Sequence, residues 1–479
     1  MAEESLKNKT VKGVFWSGVD KFAYYAIQFI VNIIMARLLS PNDYGLVGIM
    51  MVFIAFSGIF VDGGFMAALI QKKDRSDTDF NTVYITNLST SLLLYIILFA
   101  AAPYIADFYD EPTISLLLRV LSLQLIISAL SAVPLTKLTI DVDFKRISIA
   151  SISSAVISGT LGITMAFHGM GVWSLVYMQL ILVTSRCFLL NIMKRWVPSF
   201  TFSYSSFRKL FAFSSKLIAS SLIDQIYLNL YPLVIGKYFS ARSLGIYSRG
   251  EQFGKLPASV LNDMFMRVTL PVMSSIQDDT PQLRKVYREY IQASSFVIFG
   301  IMCLLVVIAH PLILILLKEK WLEAVPVMQI LCGAMMTLHI SAINRNLLYA
   351  KGRSDWALRL EVVKKILAIG LFFISLPFGV IGVCVGQFVY SLFAPFINSY
   401  YTKTLIGVSY LEQFLDYGKI WAIAIMAGII AYLPGVLLSS SWAQLITGGM
   451  LFVVVYISIH WIFKTHSLNM FLKLSKRFI

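Results

Sequence analysis

Charge is what this sequence has least of. Only 14% of its 479 residues are Asp, Glu, Lys or Arg, against about 25% in an ordinary soluble domain. With 58% hydrophobic residues and a mean hydropathy of +0.77, a water-soluble fold is excluded. Cysteine is equally sparse. Cys187, Cys303, Cys332 and Cys384 all fall inside apolar stretches and show neither zinc-ligand spacing nor a disulfide framework, so they read as buried free thiols. The five histidines are scattered, and no G-x-x-x-x-G-K-S/T, H-E-x-x-H or G-x-S-x-G motif occurs. No polar segment is long enough to hold an active site or a nucleotide domain. These absences exclude an ATP-driven pump and point away from an enzyme. They call for no cofactor and no resident metal.

What is present is apolar length. Stretches of about 20 residues or more, each able to cross a hydrocarbon core of roughly 30 Å, run at 14–37, 45–70, 83–105, 114–136, 147–168, 171–193, 211–237, 245–274, 290–317, 323–349, 356–376, 379–401, 419–438 and 442–463. The expected fold is an all-α polytopic membrane protein of about fourteen transmembrane helices. The first stretch comes after the polar segment MAEESLKNKTVKG. It is too long for a signal-peptide core and lacks a cleavage site, so it counts as a span.

The net charge of +15 does not indicate nucleic acid, because the cations sit in short loops between spans. On one side lie Lys7, Lys9 and Lys12, then Lys72, Lys73 and Arg75, then Lys194 and Arg195, and the tail Lys473, Lys476 and Arg477. On the other side the 106–113 loop carries Asp107, Asp110 and Glu111 and no cation. By the positive-inside rule both termini are cytoplasmic, and an even span count agrees.

The chain also repeats itself. LLSPNDYGLVGIMMVFIAFSGIFVDGGFM at 38–66 and FSARSLGIYSRGEQFGKLPASVLNDMFM at 239–266 align without gaps, so that Ser40, Gly45, Phe53, Phe65 and Met66 fall on Ser240, Gly245, Phe253, Phe265 and Met266. Ala101-Ala102-Pro103 resembles Ala309-His310-Pro311, Ser131-Ala132 matches Ser341-Ala342, and Gly169 matches Gly379. Repeats of this kind are the signature of related halves. Residues 1–193 and 211–403 are therefore expected to form two six-helix lobes. They are joined by a cytoplasmic linker, 194–210, and succeeded by two further helices and a basic tail in 404–479. Six spans per unit is even, so the repeat is a parallel one, with substrate sites between the halves.

Charges inside spans are the candidate site. A charged side chain at a span centre costs about 2.5–3.5 kcal/mol on insertion scales and usually faces a cavity or a partner. Lys21, Asp62, Lys216, Asp224, Arg249, Glu251, Lys255 and Asp263 qualify, and they fall on the first two spans of each half. Blander roles exist for several. Lys216 is placed to snorkel to headgroups, Glu251 and Lys255 are spaced to neutralise one another, and Asp20 compensates Lys21. Arg345, Lys364 and Lys365 read as cytoplasmic-interface charges. A cavity rich in cations suits an anionic cargo such as a diphosphate. Tyr24, Tyr25, Tyr227, Tyr231 and Tyr247 add surface for sugars or for packing.

The segments GVFWSGVDKF, ARLLSPNDYGLVGI, DFKRISIASISSAVISG, RWVPSFTF and YFSARSLGIYSRGEQFGKLP resemble the polysaccharide-export (Wzx-like) lipid-linked oligosaccharide flippases of the MOP exporter superfamily, in the look of the colanic-acid or exopolysaccharide exporter branch. The resemblance covers nearly the whole chain. It implies a V-shaped pair of lobes in a bacterial plasma membrane. It also implies flipping of an undecaprenyl-diphosphate-linked repeat unit by alternating access, for exopolysaccharide or lipopolysaccharide synthesis. Proton or sodium coupling, membrane lipids and a polysaccharide polymerase come with it as candidate driving force and partners. A drug or metabolite antiporter on the same scaffold is the alternative, although such relatives have twelve spans. A major-facilitator fold is disfavoured because the loop after span 2 reads QKKDRSDTDFN. A membrane-embedded polymerase is disfavoured because the outer loops are short.

Overall fold

Serine caps and glycine breaks decide where many of the helices begin and end. The structure, a computed structural model, describes residues 2–465 and Ser467, and no strand occurs among them; Lys473, Lys476 and Arg477 of the basic tail lie outside the described residues. By packing, the chain divides into two compact units, Met1–Gly245 and Ile246–Ile479.

The first unit contains α1 (Ala2–Leu38), α2 (Pro41–Asp62), α3 (Phe65–Gln71), α4 (Asp77–Tyr109), α5 (Thr113–Leu121), α6 (Leu123–Ile140), α7 (Phe144–Phe167), α8 (Val172–Met193) and α9 (Tyr204–Tyr238). The helix α10 (Ala241–Ser275) starts in it and continues into the second unit. The second unit then adds α11 (Thr280–Leu317), α12 (Ala324–Met335), α13 (Leu338–Ala350), α14 (Ser354–Ser375), α15 (Gly379–Asn398), α16 (Thr402–Ile406), α17 (Tyr410–Leu437) and α18 (Ser441–Ile462).

Three starts share one device. Ser40, Ser76 and Ser409 each accept from the backbone of the third helical residue, while the acid there, Asp43, Asp79 or Glu412, accepts from the serine's own N–H. Each such capping box satisfies two backbone donors that would otherwise be orphaned at the helix end.

Along the helices the burial pattern is inverted relative to a soluble protein. On α4, Leu92, Leu93, Ile96 and Ile97 are 49–58% exposed, while Ser91 is fully buried. On α7 the buried face is built from small residues, Ser148, Ser151, Ser154 and Ser158 among them, which lets α1 and α8 pack closely against it. Apolar residues outside and small polar ones inside are what a lipid solvent favours.

Twelve stretches among the described residues are helical, long and apolar enough to cross a membrane. One of them, Ser354–Ile406, holds both α14 and α15. The 35-residue α10 is not among the twelve, because Arg242, Arg249, Glu251, Lys255, Asp263 and Arg267 lie on it. A count of fourteen crossings requires both adjustments.

The connection after α8 is irregular only over residues 194–203, and α9 begins at Tyr204 rather than near 211. It is tied down on α4. Ser199 and Ser203 donate backbone N–H groups to Asn81 Oδ1 at 2.8 Å and Thr82 Oγ1 at 3.1 Å, and Ser206 bonds to Asp79. Trp196 packs edge-on to Tyr84 at 5.4 Å. These ties, with the packing of α9 on α2, α3 and α4, explain why α9 belongs by packing to the first unit. A repeat is defined by sequence likeness and a compact unit by contact, and the two boundaries need not coincide.

In the second unit α17 and α18 are built into the core. Arg288 on α11 holds Asp416 on α17 with two hydrogen bonds of 2.7 Å, and Gln292 adds a third at 2.8 Å. Buried Tyr287, Asn344 and Gln413 bond to one another across α11, α13 and α17. Tyr456 on α18 donates to Phe296 O at 2.8 Å.

Candidate functional site

Asp62 closes α2, and the helix breaks there without forming a loop. Gly63 and Gly64 adopt φ of 50° and 67°, and α3 starts at once. Only glycine adopts two consecutive left-handed conformations cheaply. Within a single candidate span, Pro41–Gln71, the helix is thus discontinuous, with its sole late carboxylate at the break. Asp62 is exposed there.

On α9, Lys216, Ser220, Asp224, Tyr227 and Tyr231 recur at three- and four-residue steps and so lie along one face. Lys216, Ser220 and Asp224 are exposed. On α10, Lys255, Ser259, Asp263 and Arg267 recur every four residues, and all are exposed. Glu251, one turn earlier, pairs with Lys255 at 3.4 Å. Such a pair on a helix surface contributes about 0.2–0.5 kcal/mol. Arg249 is buried and bonds to Gln252, and Tyr247 accepts a 2.8 Å bond from Gln387 on α15.

Lys21 is exposed on α1, next to an association that the eight candidates omit. Arg186, deep in the apolar run of α8, interacts electrostatically with Asp20, as does Lys21. Asp20 Oδ1 and Arg186 Nε are buried with no hydrogen-bond partner among the described residues. The signal is in the sequence: a single arginine in LVTSRCFLL is an intramembrane charge by the same criterion that singles out Asp224.

The second unit also holds an apolar cavity of about 550 Å³ among α11, α12, α15 and α17, bordered by Val307, Ile330, Phe388, Trp421 and Ile425. Ligand clefts commonly have this size and this character.

An exposed polar face on the membrane-spanning α9 and another on α10, a broken span and an apolar cavity are features of a transporter. The family model for "Polysaccharide biosynthesis protein" matches residues 34–326, more than half of the chain. The chain belongs to that family. This polysaccharide biosynthesis family member is 25% identical over 448 residues to the lipopolysaccharide biosynthesis protein WzxC of Escherichia coli (strain K12), covering 92% of this chain and 90% of that one. It is 26% identical over 356 residues to the teichuronic acid biosynthesis protein TuaB of Bacillus subtilis (strain 168), covering 74% of each.

Among solved structures, the lipid II flippase MurJ in an inward closed conformation superposes with a TM-score of 0.73. Its identity is 15%, over 94% of this chain and 100% of that one. An inward-facing multidrug resistance MATE transporter of the MOP superfamily gives 0.59 at 15%, over 80% and 98%. The family member thus shares the all-helical fold of these two proteins.

Proposed function

We propose that the protein flips an undecaprenyl-diphosphate-linked oligosaccharide repeat unit from the inner to the outer leaflet of a bacterial plasma membrane, with both termini cytoplasmic. The observation that carries this reading is the pair of exposed polar faces on α9 and α10, in a member of a polysaccharide biosynthesis family. A polar face on a membrane-spanning helix is costly against lipid, so it lines water or a polar cargo. Its cations suit a diphosphate, and its hydroxyls suit sugars.

The mechanism is set by what such a cargo needs. The diphosphate and sugars must cross without meeting hydrocarbon, while the polyprenyl chain never has to leave it. Lys21, Lys216, Arg249 and Lys255 would hold the diphosphate, and Asp62, Asp224 and Asp263 would keep the passage wet and limit its positive charge. An apolar cavity of the kind found among α11, α12, α15 and α17 suits a hydrocarbon chain. Alternating access then exposes the polar faces to one side at a time. A proton or sodium gradient is the energy source we assign, and a polysaccharide polymerase the partner that consumes the product. No bond is made or broken, so the role is transport rather than catalysis.

A deletion strain tests this directly. Lipid-linked repeat units should accumulate on the cytoplasmic leaflet while polymer is lost. Normal polymer with altered dye or drug sensitivity would overturn the proposal in favour of an antiporter.

A further inference from the structure

A second charge cluster, on α13 and α14, is separate from the residues assigned to the cargo. Arg345 and Lys364 both donate to the same oxygen, Oε1 of Glu361, at 3.3 and 2.6 Å. The sequence suggests that Arg345, Lys364 and Lys365 are charges of the cytoplasmic interface. Lys364 is not. It sits midway along the 22-residue α14, roughly 15 Å from either end at 1.5 Å per residue. Its side chain is 5% exposed, while its neighbours Val362, Val363 and Ile366 are 50, 50 and 67% exposed. Exposed apolar residues at that level are suited to lipid, so the ammonium is turned into the protein. It has not snorkelled out.

The charges of the cluster do not balance. Arg345 and Lys364 share one carboxylate among the described residues. Uncompensated charge away from water is expensive, so a positive excess here calls for an anion. Access exists on one side only. Arg345 and Glu361 are 35% and 32% exposed, whereas Lys364 is closed off. The guanidinium engages Glu361 through Nη1, and its planar fork offers further N–H donors of the geometry that phosphate oxygens accept.

We propose that Arg345 contacts a phosphate or diphosphate group carried by a membrane lipid, with buried Lys364 supplying the excess positive charge behind it. The chemistry of the site stands without the export reading. Only the assignment of that diphosphate to the exported cargo rests on it.

The test is binding by the purified full-length protein in maltoside micelles, with undecaprenyl diphosphate and phosphatidylglycerol as probes. Arg345→Gln and Lys364→Met should each weaken binding at least tenfold. Glu361→Gln, which keeps both cations, should bind as tightly as wild type or more so. A merely structural ion pair would behave differently: Glu361→Gln would lower the melting temperature and binding together, which would overturn the proposal. Should Lys364→Met fail to fold, the double variant Glu361→Gln/Lys364→Met removes a balanced pair and leaves the excess charge on Arg345; it should bind within twofold of wild type, and a tenfold loss would overturn the proposal. Loss confined to undecaprenyl diphosphate supports a cargo site, and loss for both probes supports a general anionic-lipid site. Binding within twofold of wild type for both probes in both cation variants overturns it. A deletion strain with normal polymer would overturn the export reading and leave this binding result standing.

Discussion

The two copies of the repeated motif meet, and they differ. Ser40 and Ser240 each precede a helix, and Gly45 and Gly245 each fall in its second turn. Those glycines pack reciprocally: a Cβ on Gly45 would lie 1.6 Å from the Ala241 carbonyl oxygen, and one on Gly245 would lie 1.9 Å from that of Pro41. Backbone presses on backbone, so neither position has room for any side chain. Beyond the crossing the copies diverge. In the first, α2 stays apolar and breaks at Gly63-Gly64 after 22 residues. In the second, α10 runs on for 35 residues and carries the charged face. Both copies keep one way of entering a helix pair, while most of the charges fall on one of them.

Breaking the crossing should have the largest effect. Gly45→Val or Gly245→Val should leave little folded protein, because a carbonyl of the backbone cannot step aside as a flexible side chain can. Fluorescence-detected size exclusion of a fusion would read this as loss of the monodisperse peak. Gly48→Ala sharpens the point. It meets only the Leu244 side chain at 3.2 Å and should fold. If the valine variants run as wild type, the reciprocal contact is not needed for folding.

Next in size is the charged face. Asp263→Ala and Lys255→Gln should each lower polymer export about tenfold at equal expression, a difference of ~1.4 kcal/mol. Asp43→Asn at the mouth of α2 should leave export near normal. Equal effects from all three would erase the division of labour between the copies.

A comparable loss, now of stability, is expected where α2 ends. Gly63→Ala places a Cβ in a left-handed conformation, at 2.7 Å from the Phe65 ring, and should cost ~1–2 kcal/mol. A fall in melting temperature would register it.

Smallest is the difference between the two caps. Ser40 takes part in a reciprocal box with Asp43, accepting from its N–H at 3.3 Å while Ser40 N–H donates to Asp43 Oδ2 at 2.8 Å. Ser240 accepts from Ser243 N–H at 3.0 Å, where no acid stands at the third position. Ser40→Ala should therefore cost about 1 kcal/mol and Ser240→Ala less. The reverse order would mean that crossing contacts outweigh capping.

Particular residues show how much of this is legible in the chain. The apolar runs announce helices because a chain in lipid must satisfy its own backbone, and the start of α4 at Asp77 is written in Ser76 and Asp79. The repeat is visible as identities at Ser40/Ser240 and Gly45/Gly245. That the two glycines touch is not, since identity carries no distance. Intramembrane charge is as plain at Arg186 as at Asp224, but its association with Asp20 needs two helices that lie far apart in the chain. Lys364 is visible as a charge but not as a buried one, because two adjacent lysines look exposed until the packing of their helix is known.

Composition and periodicity by themselves determined the solvent and the secondary structure of this chain, because those depend on what each segment prefers locally. Only the tertiary structure decided which glycines meet, that α17 is locked to α11 through Asp416, and that two cations share a single oxygen of Glu361. Those facts depend on which faces of distant helices are pressed together, and no single segment encodes that.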